Sequence, residues 1–274
     1  MSTSRRNTAL KYLALFVGLL LFGFPFVWMV LASFKPEAEI AALNPWPSTF
    51  SLDSYARVLQ SIPVGQSLVN SLIVAGTVTT GSLVLGSMVA YALAKLEWKG
   101  REMVFRMLLL TMMVPFIVLL IPLYTLVVRL GLADSLAGLI VPFLFSGTGI
   151  LILRQAFLTI PRDLLDAARV DGCSEPRILF TIVWPLSVPA LITAGLLTFI
   201  GAWNEVLWPL IVVRDPASMT LPQAVALYAV GGAADARLGP QLAAAVLLAA
   251  PIVVAYLLFQ RRFVESLATS GLKS

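Results

Sequence analysis

Very few residues of this chain could perform chemistry, and their positions say more than their number. Histidine is absent and Cys173 is the single cysteine. The commonest general base and the commonest metal ligand are therefore missing, and neither an intramolecular disulfide nor a cysteine metal cluster is possible. No Gly-x-x-x-x-Gly-Lys-Ser/Thr run occurs, which excludes a P-loop for ATP in this chain. What remains are carboxylates in two unusual settings. Asp163, Asp166 and Asp171 lie in the segment Pro161-Arg162-Asp163-Leu164-Leu165-Asp166-Ala167-Ala168-Arg169-Val170-Asp171-Gly172, between two apolar stretches. Glu205 lies in Gly201-Ala202-Trp203-Asn204-Glu205-Val206-Leu207-Trp208-Pro209, inside an apolar stretch. Such groups suit docking and hydrogen bonding. No nucleophile–base pair or metal cluster accompanies them, so the chain itself is not expected to be an enzyme and no metal site is expected.

The elements that must position these residues are membrane helices. Of 274 residues, 59% are hydrophobic and 12% charged, about half the charge of a soluble domain, and mean hydropathy is +0.93. Six apolar stretches are long enough to cross a core of about 30 Å. They are Leu10–Phe34, Val64–Ala94, Met103–Arg129, Ser135–Phe157, Ser187–Val213 and Gln241–Phe259. The first is too long for the apolar region of a signal peptide and reads as a retained span. Pro142 and Gly147-Thr148-Gly149 predict a break in the fourth. The chain reads as a single domain over 1–274, with a polar loop at about 158–186 and a polar tail at about 260–274.

Orientation follows from the basic residues. Of the 19 Lys and Arg, fourteen fall on the side of the N-terminus: Arg5, Arg6, Lys11, Lys95, Lys99, Arg101, Arg106, Arg154, Arg162, Arg169, Arg177, Arg261, Arg262 and Lys273. Five fall opposite: Lys35, Arg57, Arg129, Arg214 and Arg237. The positive-inside rule then places both termini and the 158–186 loop in the cytoplasm. It also accounts for the net charge of +5 without invoking nucleic acid. On the opposite side, Trp46 and Phe50 are expected at the lipid–water boundary.

Within the loop, Pro161 suits a helix start, and Asp163 and Asp166 sit near the positive end of the helix dipole. Gly172 can end the helix in the left-handed region. Leu164, Leu165, Ala168 and Cys173 offer apolar surface, while Pro176 opposes continuation of the helix. Asn204 and Glu205 are adjacent, so on one helix they point about 100° apart. That predicts Glu205 facing a cavity or subunit interface and Asn204 bracing a neighbouring helix. Ser82, Gly86, Ala90 and Ala94 recur every fourth residue, a spacing that permits close helix packing.

The Asp-Ala-Ala-x-x-x-Gly run, followed by Pro185-Leu186-x-x-Pro189, resembles the "EAA" loop of permease subunits of ATP-binding-cassette importers, with Asp166 where that family usually carries Glu. The Trp-Asn-Glu segment, Ser33-Phe34-Lys35, Asn70-Ser71 and the tail from Gln260 to Ser274 are similar to carbohydrate-uptake permeases of the maltose-transporter type. The resemblance implies an all-α integral membrane protein with six transmembrane helices and the type I ABC importer permease fold. It implies that 158–186 holds a coupling helix docking on an ATPase through Asp163, Asp166, Ala167, Ala168, Asp171 and Gly172. Asn70, Asn204 and Glu205 would line the solute path, and Ser270, Gly271 and Lys273 would reach the ATPases. The implied partners are a second homologous permease, two ATPase subunits carrying ATP and Mg, an extracytoplasmic solute-binding protein and the lipid bilayer of a bacterial-type inner membrane. The implied cargo is a sugar, polyol or oligosaccharide. A non-sugar solute is the alternative, and an ion-coupled secondary transporter is disfavoured by the lone intramembrane carboxylate.

Overall fold

The computed structural model describes residues 2–41, 44, 46–230 and 237–271, with backbone alone at 2–7, 9, 255–256 and 258–271. Among them there is no strand, as the apolar runs of about 20 residues require. The helices are α1 (Ser2–Ser33), α2 (Asp53–Ser61), α3 (Val64–Lys95), α4 (Arg101–Met113), α5 (Phe116–Arg129), α6 (Leu136–Phe143), α7 (Gly147–Leu158), α8 (Arg162–Val170), α9 (Glu175–Leu186), α10 (Val188–Trp203), α11 (Leu207–Val212), α12 (Leu221–Val230) and α13 (Leu238–Gly271). They fall into two compact units, Met1–Val64 with Ala224–Ala255, and Gly65–Gln223 with Tyr256–Ser274.

Two helices are long and apolar enough to cross a membrane, Leu10–Ser33 within α1 and Val64–Lys95. Their bounds agree with the first two predicted stretches. The third does not stay straight: α4 and α5 are bent by 103° at Val114–Pro115, because Pro115 has no N–H to continue the ladder. The fourth breaks where expected, α6 and α7 differing by 40°. The fifth is cut twice. α9 meets α10 at 90°, and α10 stops at Trp203 before α11 begins at Leu207. With each bent pair taken as one span, the structure offers up to five. In the sixth stretch α13 runs past Phe259 to Gly271, and Leu238–Val254 is a shorter apolar helix. α12 lies in a region expected to be a simple outer loop.

In the larger unit one core joins the C-terminal half of α3 (Ala90, Tyr91, Leu93, Ala94) to Ile150, Leu153 and Phe157 of α7, Leu165 and Ala168 of α8, and Ile178, Leu179 and Val183 of α9. The small-residue row of α3 is buried here: Ser82, Gly86, Ala90 and Ala94 all face the same chain. Their spacing serves packing within this subunit. Arg154 of α7 lies 3.8 Å from the Phe105 ring centroid of α4, a cation–π contact that spares part of the desolvation cost.

A second core gathers Val74 and Val78 of α3, Val127 of α5, Leu139 of α6, and Trp208 and Val212 of α11. Phe116, Phe143 and Trp208 meet with centroids 5.7–6.2 Å apart. In the smaller unit Val58 of α2 packs with Tyr228 of α12 and with Ala243 and Ala244 of α13.

The second core tolerates no added atom at Gly138. A Cβ there would stand 2.3 Å from the Leu132 carbonyl oxygen and 3.0 Å from Val212 Cγ1. Gly138→Ala is expected to destabilise the protein by about 1–3 kcal/mol through overpacking against backbone. Gly76→Ala, with nothing within 4 Å of its Cβ, should be near neutral. Thermal melting of the two variants in one detergent checks the contrast.

Candidate functional site: an amphipathic surface helix and a capped cavity

α8 forms as its residues dictate. Pro161 precedes it at φ −59°, Asp163 occupies the first turn and Arg169 the last. Gly172 follows with φ +82°, the left-handed position a glycine occupies without Cβ strain. Leu165 and Ala168 turn inward and are buried in the first core. Leu164, Ala167 and Val170 face outward at i, i+3 and i+6, and Val170 is 88% exposed. The outward apolar stripe therefore differs from the sequence expectation. Ala168 belongs to this chain's own core, and Val170 replaces it on the free face. Cys173 also packs against the core, partly buried. Asp163, Asp166, Asp171 and Gly172 are exposed.

A polar chain fixes α8 to the end of α3. Arg169 bonds Asp166 at 2.6 Å and Glu175 at 2.8 Å, and Tyr91 of α3 donates to Glu175 at 2.5 Å. Lys95 donates to the carbonyl of Ile160 at 2.5 Å, and Arg162 pairs with Glu97 at 2.8 Å. Glu175 thus serves as a link between two helices. Pro176, expected to stop the chain's helical run, stands in the first turn of α9 instead, where its missing N–H costs nothing. α9 contains a π-helical segment, Leu179–Val183, before it turns into α10.

The other constellation surrounds a cavity of about 310 Å³ lined by Val74, Val78, Leu139, Phe143, Phe145, Ser146, Leu197, Thr198, Gly201, Ala202, Glu205, Trp208, Pro209 and Thr220. Glu205 lines it from a helix break. Its Oε1 accepts the Trp208 backbone N–H at 3.0 Å, satisfying one of the orphan donors that open α11. The Trp208 indole N–H donates to the Gly138 carbonyl at 3.1 Å.

Asn204 caps α10, its Nδ2 donating to Ile200 at 2.9 Å. It therefore turns back on its own helix and braces no neighbour by that bond. The expected 100° separation on one helix does not arise, since both residues lie between helices. Asn70 is buried and engaged elsewhere: it accepts from Gln66 and donates to the carbonyls of Ala217 and Met219 at 2.8 and 2.9 Å. It is not among the cavity-lining residues. Ser270 and Gly271 lie in the last turn of α13, and Lys273 lies outside the described residues.

Sequence reading missed the strap at 214–220. Asn70 and Ser71 hold one edge, Ser71 Oγ accepting Leu221 N–H at 2.8 Å. Asp134 holds the other, its carboxylate accepting the N–H groups of Arg214 and Asp215, both at 2.8 Å. Asp134 has φ +57°, and a turn aspartate tolerates this region better than most residues. Only the Ala-Asp-Ser turn before an apolar run hinted at it.

A helical, multi-pass membrane architecture with broken spans around a cavity and an exposed amphipathic helix points to a membrane transport component. The match is specific: residues 82–268 fit the family described as binding-protein-dependent transport system inner membrane component, and the chain belongs to that family. It is 36% identical over 93% of its length to the arabinooligosaccharides transport system permease protein AraQ of Bacillus subtilis, covering 92% of that protein. It is 34% identical to the trehalose/maltose transport system permease protein MalG of Thermococcus litoralis, with 98% and 99% of the two chains covered. It is 32% identical to the sn-glycerol-3-phosphate transport system permease protein UgpE of Pectobacterium atrosepticum, over 95% of each. The fold matches a chain of a bacterial ABC transporter involved in the import of the acidic polysaccharide alginate, with TM-score 0.82 at 23% identity, covering 96% of this chain and 98% of that one.

Backbone N–H donation from Asp215, then Arg214, holds the Asp134 carboxyl below its usual pKa. A lowered folded-state pKa gives stability that is present above the unfolded value of about 3.9. That stability is lost as pH falls through the folded value. Asp134→Asn should remove this part of the acid sensitivity below pH of about 4. Acid titration of wild type and variant by thermal melting checks it; parallel curves would refute the pin.

Proposed function

We propose that this chain is the permease subunit of an ATP-binding-cassette importer that carries a sugar or related polyol. The observation that carries the solute class is the cavity lining: three aromatic rings, three hydroxyl side chains and one carboxylate in a wall whose other seven residues are aliphatic or glycine, with no Lys or Arg among them. Neutral polyhydroxylated solutes suit that wall better than phosphorylated ones, whose charge would meet Glu205 unpaired. The arabinooligosaccharide and trehalose/maltose relatives favour the same reading. Glycerol 3-phosphate, the cargo named for another relative, is the second reading.

The proposed assembly pairs this chain with a second permease, two ATPases binding ATP and Mg, and an extracytoplasmic binding protein. The chain acts as one permease domain of six spans, with both termini, the 158–186 loop and the 260–274 tail in the cytoplasm. α8 docks on an ATPase through Leu164, Ala167 and Val170, framed by Asp163, Asp166 and Asp171 with Gly172 ending the turn. Ser270, Gly271 and Lys273 approach the ATPases. Closure of the ATPase pair carries α8, and α3 with it through Tyr91 and Lys95, toward an outward-open state. Coupling comes from the different contacts made in the two states. Glu205 lines the path, while Asn204 and Asn70 support its walls.

Three measurements test this. In the reconstituted complex, neutral oligosaccharides with the binding protein should stimulate ATPase activity; stimulation by glycerol 3-phosphate alone would select the second reading. Val170→Asp and Leu164→Asp place charge on the docking stripe and should weaken ATPase retention at least about tenfold, about 1.4 kcal/mol, without loss of membrane insertion. Normal retention would refute the docking face. In a Cys173→Ser background, cysteines at Ser48 and Ser218 should label from outside sealed cells and those at Ser4 and Ser270 should not; outside labelling at Ser270 would sink the topology.

A further inference from the structure

The smaller unit holds a polar socket of about 90 Å³, lined by Lys35, Glu37, Asp53, Ser54, Arg57 and Arg237 among others. Its cations are not held in ion pairs. Lys35 is only 2% exposed, and its ammonium donates to the Asn44 carbonyl at 2.5 Å. No carboxylate lies within ion-pair distance of Lys35, Arg57 or Arg237 among the described residues. Glu37 is already engaged, its two oxygens accepting the N–H groups of Leu238 and Gly239 at 2.7 and 3.0 Å. Glu39, close enough to feel the charge of Lys35, accepts from the backbone N–H and the hydroxyl of Ser48. Asp53 is exposed. Counting Glu39 beside Lys35, three carboxylates balance the three cations, but Arg57 and Arg237 face the socket with no ion-paired carboxylate among the described residues. Guanidinium groups left unpaired beside a cavity suit a phosphate, whose oxygens accept their forked donors.

The depth of the socket says where that phosphate comes from. The apolar part of α1 ends at Ser33, two residues before Lys35. Twenty-four residues from Leu10 to Ser33 rise about 36 Å, slightly more than a hydrocarbon core, so Lys35 stands at headgroup level. Phe50 and Leu52, 70% and 67% exposed, flank Ser51 on the socket wall. Phe34 packs on Phe50 with centroids 6.2 Å apart. Apolar side chains beside a cationic socket match the boundary between acyl chains and phosphates. We infer that this socket binds the phosphate of an anionic phospholipid headgroup, with Lys35, Arg57 and Arg237 as its cations and Phe50 and Leu52 against its acyl-bearing side. A cavity of this size accepts a phosphate group and excludes a sugar ring. The assignment rests on the membrane placement of α1 and is independent of which solute is carried.

The probe is dioleoylphosphatidylglycerol added to the detergent-purified, delipidated complex. Lipid retention is read by native mass spectrometry and melting temperature, with inorganic phosphate and dioleoylglycerol as controls. Wild type should retain the phospholipid and gain thermal stability from it. Arg57→Gln with Arg237→Gln should weaken retention about 25-fold, from two cations each contributing about fivefold at a membrane surface. Arg57→Lys with Arg237→Lys should keep most of it, separating charge from folding. Unchanged retention in the Gln pair overturns the assignment. Equal protection by inorganic phosphate overturns it in favour of a free-anion site. Loss of stimulation by the binding protein with lipid retention intact overturns it in favour of an acidic protein contact.

Discussion

Backbone N–H and C=O groups have no water to turn to in hydrocarbon, so every interruption of a membrane helix must supply its own partners. The larger unit is organised around that constraint. Ser135 and Ser146 cap α6 and α7 by accepting the N–H groups of Gly138 and Gly149. Glu205 does the same for Trp208, and the Trp208 indole takes the Gly138 carbonyl. Pro115 removes the donor that the α4–α5 bend would have orphaned. The cavity exists because these breaks are affordable: α6, α10 and α11 can stop short of one another around empty space. The same residues that terminate helices therefore also shape the cavity wall, and Glu205 belongs to both roles.

At the other end of the unit the problem is reversed, because a short helix must be held firmly while presenting a free face. α8 achieves this by dividing its apolar residues. Leu165 and Ala168 enter the first core, and Leu164, Ala167 and Val170 remain outside. A nine-residue helix would be marginal alone. The Asp166–Arg169–Glu175–Tyr91 chain and the Lys95–Ile160 bond fix its position on α3. Its charges thus hold geometry within the subunit, and the outward stripe stays exposed.

How much of this could be read from the chain depended on whether the signal was local. The spans of α1 and α3 were legible because composition alone sets their ends. Pro161 and Gly172 delimited α8 because each has a single strong backbone preference. Pro142 and the 147–149 run announced the fourth break. The cuts at Val114–Pro115 and after Trp203 were hidden, since a lone Pro and an Asn-Glu pair within apolar runs are compatible with continuous helices. The facing of Ala168 was ambiguous, because inward and outward stripes on α8 both contain apolar residues. Asn70 shows the limit most plainly. Its partners, Ala217 and Met219, lie about 150 residues away, and their carbonyls carry no residue-type signal.

One geometric consequence follows from the length of α3. Its 32 residues span about 48 Å, with α8 fastened at Tyr91 and Lys95 and the 214–220 strap fastened at Asn70 and Ser71. The two attachments stand about 32 Å apart along a rod of 1.5 Å per residue. A tilt of about 5° pivoting at the α8 end sweeps the Asn70 end through roughly 3 Å, comparable to a whole hydrogen bond. Rotation too small to disturb side-chain packing near Tyr91 is thus enough, at the far tip of this lever arm, to exchange one set of carbonyl partners for another.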